Sequence, residues 1–272
     1  MLVDFHLHTT CSDGVWSPQQ LFEEIRRRKL EAFCVSDHDN LDAYPIPPDL
    51  EPIAIAGLEV DSCHDGRTVH LLAYGINDVD SPLLRALRKQ RDARVDRMKM
   101  MISRCNDLGL EITMDDVLRE AKGAASLGRP HLARSLVSRG MVASTQEAFD
   151  RYLADDGDGF VPLERLSAER IIALIRASGG VAVVAHPKRL AAPHHLGELI
   201  DLGVDGIEID HPTADVADRR RYTDIARANS LLVTGGSDFH APVPERSIGI
   251  ELPAEDVRAL QAAIGARVAR TA

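Results

Sequence analysis

Short apolar segments alternate with segments of helical periodicity along most of the chain. Apolar runs bounded by turn residues predict strands at residues 2–8, 32–36, 52–60, 69–76, 181–185, 205–209 and 231–234. Ser17 and Pro18 predict the start of a first helix, because serine caps helices and proline fits their first turn. Further helices are predicted at residues 167–177, up to about residue 229, and at 253–264. Strands interleaved with helices indicate an α/β fold, either a parallel barrel or an open sheet.

A hairpin is predicted between the third and fourth strands. Asp65-Gly66 separates them, and this dipeptide is a strong signal for a two-residue turn. The two strands should then run antiparallel. A turn centred there would bring Glu59 and His70 roughly opposite each other.

The periodicity changes in the middle of the chain. Ser81 and Pro82 predict the start of a long helix that ends near Gly109, and further helices are predicted at residues 114–122, 130–138 and 145–153. No strand pattern interrupts them. We therefore expect residues 79–165 to form a helical insertion in a domain built from residues 1–78 and 166–272.

Composition and charge narrow the functional classes. The chain has 272 residues, of which 44% are hydrophobic and 27% charged, with a formal net charge of −10. This balance argues against a protein that binds duplex DNA through bulk charge and against a polybasic membrane anchor. No apolar run approaches the ~20 residues of a membrane span. Four scattered cysteines without a C-x-x-C pair favour a reducing cytoplasm.

Histidine and carboxylate residues cluster at the ends of the predicted strands. The clusters are Asp4-Phe5-His6-Leu7-His8, Ser12-Asp13-Gly14, Ser36-Asp37-His38-Asp39, Ala185-His186-Pro187 and Gly236-Ser237-Asp238-Phe239-His240. Glu59 and His70 lie on the hairpin between them. Because the carboxyl ends of parallel strands meet at one face of an α/β fold, clusters distant in sequence can meet in space.

These residue types are typical of metal ligands. Alternate residues of a strand face the same side, so His6 and His8 can bind one ion, and Asp238 and His240 repeat the spacing. The candidate ligands exceed the needs of one ion and indicate two or three; they are His6, His8, Asp13, His38, Glu59, His70, His186, Asp238 and His240. Imidazole and carboxylate ligands without thiolate suit Mn²⁺, Fe²⁺ or Zn²⁺, and we expect Mn²⁺.

The ordered set of motifs resembles that of the PHP (polymerase and histidinol phosphatase) phosphoesterases, which are part of the amidohydrolase superfamily. The resemblance implies a distorted (β/α)7 TIM-like barrel that holds up to three ions. It implies a first ion on His6, His8, Glu59 and Asp238, a second on Glu59, His70 and His186, and a third on Asp13, His38 and His240. Several family members carry histidine where this chain has Asp13.

The helical insertion resembles that of a particular branch of the family. The segment Gly128-Arg129-Pro130-His131-Leu132-Ala133-Arg134 is similar to one in stand-alone bacterial proteins. Those proteins dephosphorylate 3′,5′-nucleotide bisphosphates and trim short RNA from its 5′ end. The resemblance implies a metal-dependent phosphatase that removes the 3′-phosphate of such a nucleotide. A short oligonucleotide is the other expected substrate.

A mechanism follows as a hypothesis. Cations would lower the pKa of a bridging water and clamp the phosphate oxygens. Arg129 and Arg134 could bind a second phosphate through paired hydrogen bonds, and Lys188 is another phosphate ligand candidate. The leaving oxygen needs a proton, for which the candidates are Asp39, His131 and His211; the sequence does not choose among them.

Other functions compete with this hypothesis. Histidinol phosphate is a rival substrate, and related barrels cleave C–N bonds with similar ligands. A non-catalytic module whose metals only stabilise the fold is a third alternative, although the full ligand set argues against it. Three remaining histidines, His64, His194 and His195, are expected to be surface residues without a role.

Overall fold

The computed structural model describes residues 1–124, 126–163, 165–190, 192–242 and 247–271. Its strands are β1 (Leu2–Leu7), β2 (Ala32–Val35), β3 (Gly57–His64), β4 (Arg67–Tyr74), β5 (Val181–Val184), β6 (Gly206–Asp210), β7 (Leu232–Gly235) and β8 (Ile250–Glu251). Its helices are α1 (Pro18–Arg28), α2 (Pro82–Asp107), α3 (Met114–Ala121), α4 (Arg129–Ser138), α5 (Thr145–Ala148), α6 (Ala168–Ala177), α7 (Pro193–Asp201), α8 (Val216–Ala228) and α9 (Ala254–Thr271).

The strands form two sheets. One has the order β2-β1-β8 and the other β3-β4-β5-β6-β7. The pairs β1–β2, β5–β6 and β6–β7 are parallel, while β3–β4 and β4–β5 are antiparallel. Isolated parallel bridges, Leu7 to Phe239 and His38 to Glu59, join the two sheets. The α/β fold is confirmed, but the described residues do not form the continuous ladder of a closed barrel.

The helix caps are where the sequence predicts them. The side chains of Ser17, Ser81 and Ser167 accept hydrogen bonds from the backbone of α1, α2 and α6. Each satisfies a backbone N–H that the first helical turn leaves unpaired. The inner face of α1, with Leu21, Phe22 and Ile25, is buried.

The prediction for the third strand is wrong at its beginning. Residues Glu51–Ile53 form a 3₁₀ turn, and β3 extends from Gly57 to His64. Pro52 lies in this turn; it has no backbone N–H to donate to a ladder, so it favours the turn over a strand. The predicted hairpin is confirmed, but Glu59 pairs with Leu72, and Asp61 is opposite His70. His64 pairs with Arg67 across the two-residue turn, which fixes this register.

Two elements have no counterpart among the predictions. The strand β8 has only two residues, which is too short to show a period, and it pairs antiparallel with β1. The helix α7 begins at Pro193 and contains His194 and His195. It is therefore wrong that both histidines are surface residues, since His195 is buried.

The long helix α2 contributes to two hydrophobic cores. Near its start, Leu83 and Leu87 pack with residues of β3, β4, β5 and α6. Further along, Met98, Met101 and Cys105 pack with α3, α4 and the segment up to Val161. This arrangement places the helical segment next to the carboxyl ends of the strands. No helix in the described part of the chain is long and apolar enough to cross a membrane.

Candidate metal centre and adjoining cavity

The structure brings all nine predicted metal ligands into one connected cluster. His6 lies near the end of β1 and His8 directly follows it, His38 follows β2, and Glu59 and His70 lie within β3 and β4. The remaining members follow β1, β5 and β7, and they are Asp13, His186, Asp238 and His240. Three groups of side chains in the cluster have ligand atoms within 4.8 Å of one another, as a metal ion requires.

Glu59 is at the centre of the cluster. Its Oε2 atom lies 3.3 Å from the Nε2 atoms of His6, His8 and His38. Its Oε1 atom lies 2.8 Å from His70 Nδ1 and 3.0 Å from His186 Nε2. One carboxylate therefore faces five imidazoles, and each of its oxygens can serve a different ion. His70 reaches it although the two residues are not opposite in the hairpin.

Two further carboxylates complete the cluster. Asp238 Oδ1 lies 3.5 Å from the Nε2 atoms of His6 and His8, and 3.4 Å from His240 Nδ1. Asp13 Oδ1 lies 3.2 Å from His240 Nε2, and its Oδ2 lies 3.9 Å from His38 Nε2. The third group of predicted ligands thus surrounds Asp13.

Unpaired nitrogen atoms show that the cluster suits metal ions. His6 Nε2 and both ring nitrogens of His8 are buried without a hydrogen-bond partner among the described residues. Buried polar atoms are normally paired, because leaving one unpaired costs about 1–3 kcal/mol. His6 Nδ1 is 2.9 Å from Glu208, which fixes the ring and leaves Nε2 for a ligand bond. Buried imidazoles and carboxylates in this arrangement fit divalent cations of the Mn²⁺, Fe²⁺ and Zn²⁺ class.

The electrostatics of the cluster favour positive charge at the ligand atoms. Burial lowers the pKa of His6, but the carboxylates of Glu208 and Glu59 outweigh it and raise that pKa well above its ordinary value. Burial raises the pKa of Glu59, but His38 and His6 outweigh it and hold that pKa well below the ordinary range. Glu59 is therefore an anion at neutral pH, as a ligand to cations must be.

Asp61 is a site residue that the sequence analysis missed. It lies two positions after Glu59 on the same strand, so both carboxylates face the same side. Its Oδ1 atom is 3.2 Å from His38 Nδ1 and 3.4 Å from His70 Nε2. Arg94 from α2 binds Asp61 at 2.8 Å and Asp39 at 2.6 Å. Asp61 thus orients two candidate ligands, and the strand alternation could have revealed it.

Three of the seven described non-glycine residues with a positive φ angle lie at the cluster. Asp39, His186 and Asp238 have φ angles of 58°, 28° and 49°, in the left-handed region that costs non-glycine residues about 1–3 kcal/mol. Gly236 approaches β1 closely: a Cβ atom there would lie 2.3 Å from His6 Cβ. This contact lets Asp238 reach the histidines of β1.

A cavity of about 730 Å³ adjoins the cluster. On one side it is lined by candidate ligands, including Asp13, His38, His70 and His186. The opposite side is formed by α2, the start of α4 and the segment after α5, with Phe149 and Phe160. Six arginines line it: Arg67, Arg94, Arg97, Arg129, Arg165 and Arg189. A chain with net charge −10 thus has a strongly basic cavity.

Two of these arginines keep unpaired donors. Arg97 Nη2 and Arg165 Nε are buried without a hydrogen-bond partner in the described structure. Burial lowers the pKa of Arg97 to about 10, and the charges of Arg129 and Arg165 contribute to the shift. Arg97 is still charged at neutral pH. Buried, like-charged donors of this kind favour a bound anion such as phosphate.

The three predicted phosphate ligands lie in different surroundings. Arg129 lines the cavity, where it contacts the rings of Phe149 and Phe160 and pairs with Asp155 at 2.6 Å. Arg134 donates to the backbone oxygen of Asp13 at 3.2 Å and is not among the lining residues. Lys188 is directed away from this cavity, because its ammonium group pairs with Asp215 and Asp218.

The three predicted proton donors also differ. Asp39 is fully buried and accepts two hydrogen bonds from Arg94. His131 Nδ1 accepts from Gly128 N at 3.0 Å, and burial, followed by the charge of Arg134, lowers the pKa of His131 to about 4. His211 Nε2 lies 3.2 Å from Asp238 Oδ2, so His211 is the candidate in direct contact with a predicted metal ligand.

Curated relatives and a solved structure resemble the whole chain. The 5′-3′ exoribonuclease Rnm of Salmonella typhimurium is 30% identical over 266 residues, which cover 93% of this chain and 89% of the relative. The chain belongs to the PHP family of metal-dependent phosphoesterases. The 3′,5′-nucleoside bisphosphate phosphatase of Chromobacterium violaceum is 28% identical over 88% of this chain and 87% of the relative. No family model matches the chain.

The fold of this PHP phosphoesterase agrees with the assignment. A chain from Bifidobacterium adolescentis, described as a metal-dependent phosphoesterase, has 30% sequence identity and a TM-score of 0.84, with 96% of each chain covered. The protein is accordingly an enzyme that hydrolyses phosphate esters with the help of metal ions. Imidazole–carboxylate clusters and a basic cavity are what this chemistry requires.

Proposed function

We propose that the enzyme removes the 3′-phosphate of nucleoside 3′,5′-bisphosphates and also trims short RNA from its 5′ end. The observation that carries the proposal is the two-sided cavity: candidate metal ligands form one side, and on the other Arg97 offers a buried donor without a hydrogen-bond partner, as does Arg165, whose Nε lies 3.6 Å from Asp61. A substrate with two phosphates could place one of them at the metal ligands and the other at the arginines. Relatives named for both activities support the choice.

Two or three divalent cations, with Mn²⁺ as the proposed physiological metal, would be held by the cluster. His6, His8 and Asp238 form one group, His6, Glu59 and His186 a second, and the third is His8, Asp13, His38 and His240. His70 would add to the second group through its contact with Glu59. When bound, such ions neutralise phosphate charge and lower the pKa of a coordinated water.

The residues of the cavity would bind and orient the substrate. Arg97, Arg129 and Arg165 are placed to hold the phosphate that is not cleaved, through charge-assisted hydrogen bonds. Phe149 and Phe160 offer faces against which a base can stack. Arg134, which contacts the backbone of Asp13, would hold the loop that carries a metal ligand.

His211 is the proposed holder of the proton for the leaving oxygen. The Thr213 N–H donates to His211 Nδ1 at 3.1 Å, so the neutral ring carries its proton on Nε2. That atom faces Asp238 Oδ2 at 3.2 Å. Asp39 is bound by Arg94, and His131 is neutral at pH 7 and holds the start of α4, so we assign neither the acid role.

The remaining architecture is consistent with this function. We propose that the strands, with the bridges at Leu7 and His38, correspond to the distorted barrel of the family and that residues 79–165 cap its mouth. Free Cys11, Cys34, Cys63 and Cys105 support a reducing, cytoplasmic setting. The basic residues lie inside a cavity, which suits a single-stranded end and disfavours duplex DNA.

The test compares substrates with one and two phosphates. In Arg97→Met, kcat/KM for a nucleoside 3′,5′-bisphosphate should fall about 10- to 100-fold, because a hydrogen bond to a charged group contributes about 1.5–3 kcal/mol. The value for the corresponding 3′-monophosphate should stay near that of the wild type. Arg88→Met is the matched control, since Arg88 is on the same helix and pairs with Asp80 at the surface. An equal loss on both substrates would contradict the second-phosphate role.

Metal removal tests the other half of the proposal. Treatment with chelator should abolish hydrolysis of the bisphosphate, and Mn²⁺ should restore it, because a protonated imidazole or an arginine cannot lower the pKa of a coordinated water as a bound cation does. The readout is phosphate release together with the metal content of each sample. Full turnover by a protein shown to be metal-free would refute the proposed chemistry.

A further inference from the structure

A second cluster of histidines lies outside the candidate active site. Ligand atoms of His194, His195 and Glu198 all lie within 4.8 Å of one another. His64, the last residue of β3, lies beside this group but is not part of it: its Nε2 is 2.9 Å from Glu198 Oε2, and its ring centroid is 6.1 Å from that of His195. The four residues are distinct from the nine candidate ligands of the catalytic cluster.

The helix α7 places three of these side chains together. His194 and Glu198 are four residues apart and His195 and Glu198 three apart, so each histidine is a neighbour of Glu198 on the surface of the helix. The rings of His194 and His195 have centroids 4.4 Å apart. His195 is only 6% exposed, and its ring makes no hydrogen bond with the residues that the structure describes. Its ring nitrogens are therefore free to bind an ion together with His194 and Glu198.

We propose that His194, His195, Glu198 and His64 form a zinc site separate from the catalytic metals. Three imidazoles and one carboxylate are a complete tetrahedral ligand set for Zn²⁺, with no position left open for substrate. The site is therefore structural. The hydrogen bond between His64 and Glu198 holds two of the ligands next to each other before the ion binds.

Zinc at this site would fix the rim of the catalytic cavity. It would join the tip of the β3–β4 hairpin, where His64 is located, to the start of α7. Gly66 and Arg67 of the tip line the cavity, as do Arg189 and Leu190, which precede α7. Zinc would thus hold two separate parts of the cavity wall together without contacting the substrate.

The test counts metal ions in the full-length enzyme. The protein is saturated with Mn²⁺, dialysed against a limiting concentration of Zn²⁺, and analysed for both metals. The double variant His194→Ala with Glu198→Gln should bind one metal equivalent fewer per chain than the wild type. Asp201→Asn, an exposed acid on the same helix, is the matched control and should bind as the wild type does. The metal count requires no substrate, so it tests the zinc site whether or not the proposed substrate is correct.

Two further readouts make the result decisive. The double variant should keep its hydrolysis of a phosphate monoester, and zinc should raise the melting temperature of the wild type but not of the variant. In His64→Ala, zinc affinity should fall at least about tenfold, as expected when one ligand is lost. If the double variant binds as many metal ions per chain as the wild type, these residues do not form a zinc site. Loss of manganese and of activity in that variant would overturn its separation from the catalytic cluster.

Discussion

Glu59 connects more of the site than any other side chain described above. Its two oxygens face His6, His8 and His38 on one side and His70 and His186 on the other. It is 1% exposed, so its charge is balanced by these neighbours and by cations and hardly at all by water. In the proposed metal centre, this single negative charge would allow adjacent sites to fill together.

Removing the negative charge of Glu59 should weaken metal binding and lower the rate of hydrolysis. We expect Glu59→Gln to lose at least one metal equivalent per chain and to lower kcat at least about 100-fold, since changes even to residues that support ligands cost 10–100-fold. Glu51→Gln is the control, because Glu51 is exposed and precedes β3. Metal analysis and turnover numbers provide the measurement. A variant with wild-type metal content and rate would contradict the shared role of Glu59.

His131 should make stability depend on pH. Its pKa of about 4 lies below the ordinary 6.5, so the unfolded chain takes up the proton at higher pH than the folded one. Its contribution to stability is fully present above pH 6.5 and is lost as the pH falls towards 4, by about 3 kcal/mol in total.

A glutamine at position 131 removes this titration. In His131→Gln the amide oxygen can still accept from the Gly128 N–H, as glutamine does in a capping box. We expect the variant to lose less stability than the wild type between pH 6.5 and 4. Urea unfolding at several pH values measures the difference. Parallel curves for the two proteins would show that His131 does not titrate as described.

At the scale of elements, α2 joins the helical segment to the catalytic cluster. Its Arg94 binds Asp39, which follows β2, and Asp61 of β3. Asp61 in turn contacts His38 and His70. Arg94 thus acts on the candidate ligands through Asp61 and is a positioning residue.

Removing Arg94 should affect both folding and metal binding. Arg94→Met would leave two buried carboxylates without their cation, which costs about 3–5 kcal/mol of unfolding free energy. Metal affinity should fall about 10–100-fold, and Arg94→Lys should recover part of it. Arg88→Met, on the same helix and in an exposed pair with Asp80, should change stability by less than about 1 kcal/mol. If Arg94→Met is less stable than the wild type but binds metal with the same affinity, Arg94 stabilises the fold and does not position the ligands.

At the scale of the whole molecule, the candidate metal centre spans both sheets. His6 belongs to β1 in the three-stranded sheet and His8 directly follows it, whereas Glu59 and His70 belong to the five-stranded one. Between the sheets, the described residues contribute only isolated bridges. Bound cations would therefore act as cross-links where the backbone pairing is sparse.

Removing the metal ions should therefore lower the melting temperature and increase hydrogen exchange where the two sheets meet. At a metal concentration 100 times the Kd, binding stabilises the fold by about 2.7 kcal/mol, or roughly 5–10 °C in melting temperature for a chain of this size. Hydrogen exchange of the metal-free protein should rise most at residues near Leu7 and His38, where the sheets meet. Calorimetry and exchange measurements test this. Uniform exchange with an unchanged melting temperature would show that metals do not join the sheets.

Sequence patterns alone predicted most of the elements and a set of candidate ligands whose side chains lie together in the structure. The His6–His8 spacing, the capping serines and the Asp65-Gly66 turn act over a few residues, so local periodicity is enough to predict their structures. The order of the histidine and carboxylate motifs along the chain indicated the family. The position of these motifs at the predicted strand ends indicated that they would meet at one face of the fold.

Only the tertiary structure decided which side chains make contact. It placed Glu59 against five imidazoles although hairpin pairing puts Leu72 opposite it, and it paired Lys188 with Asp215 and Asp218 outside the cavity. It also brought Arg94 to Asp61 and His64 to Glu198. The physical reason is that such contacts depend on how distant elements pack, whereas sequence periodicity reports only which face of each element is buried.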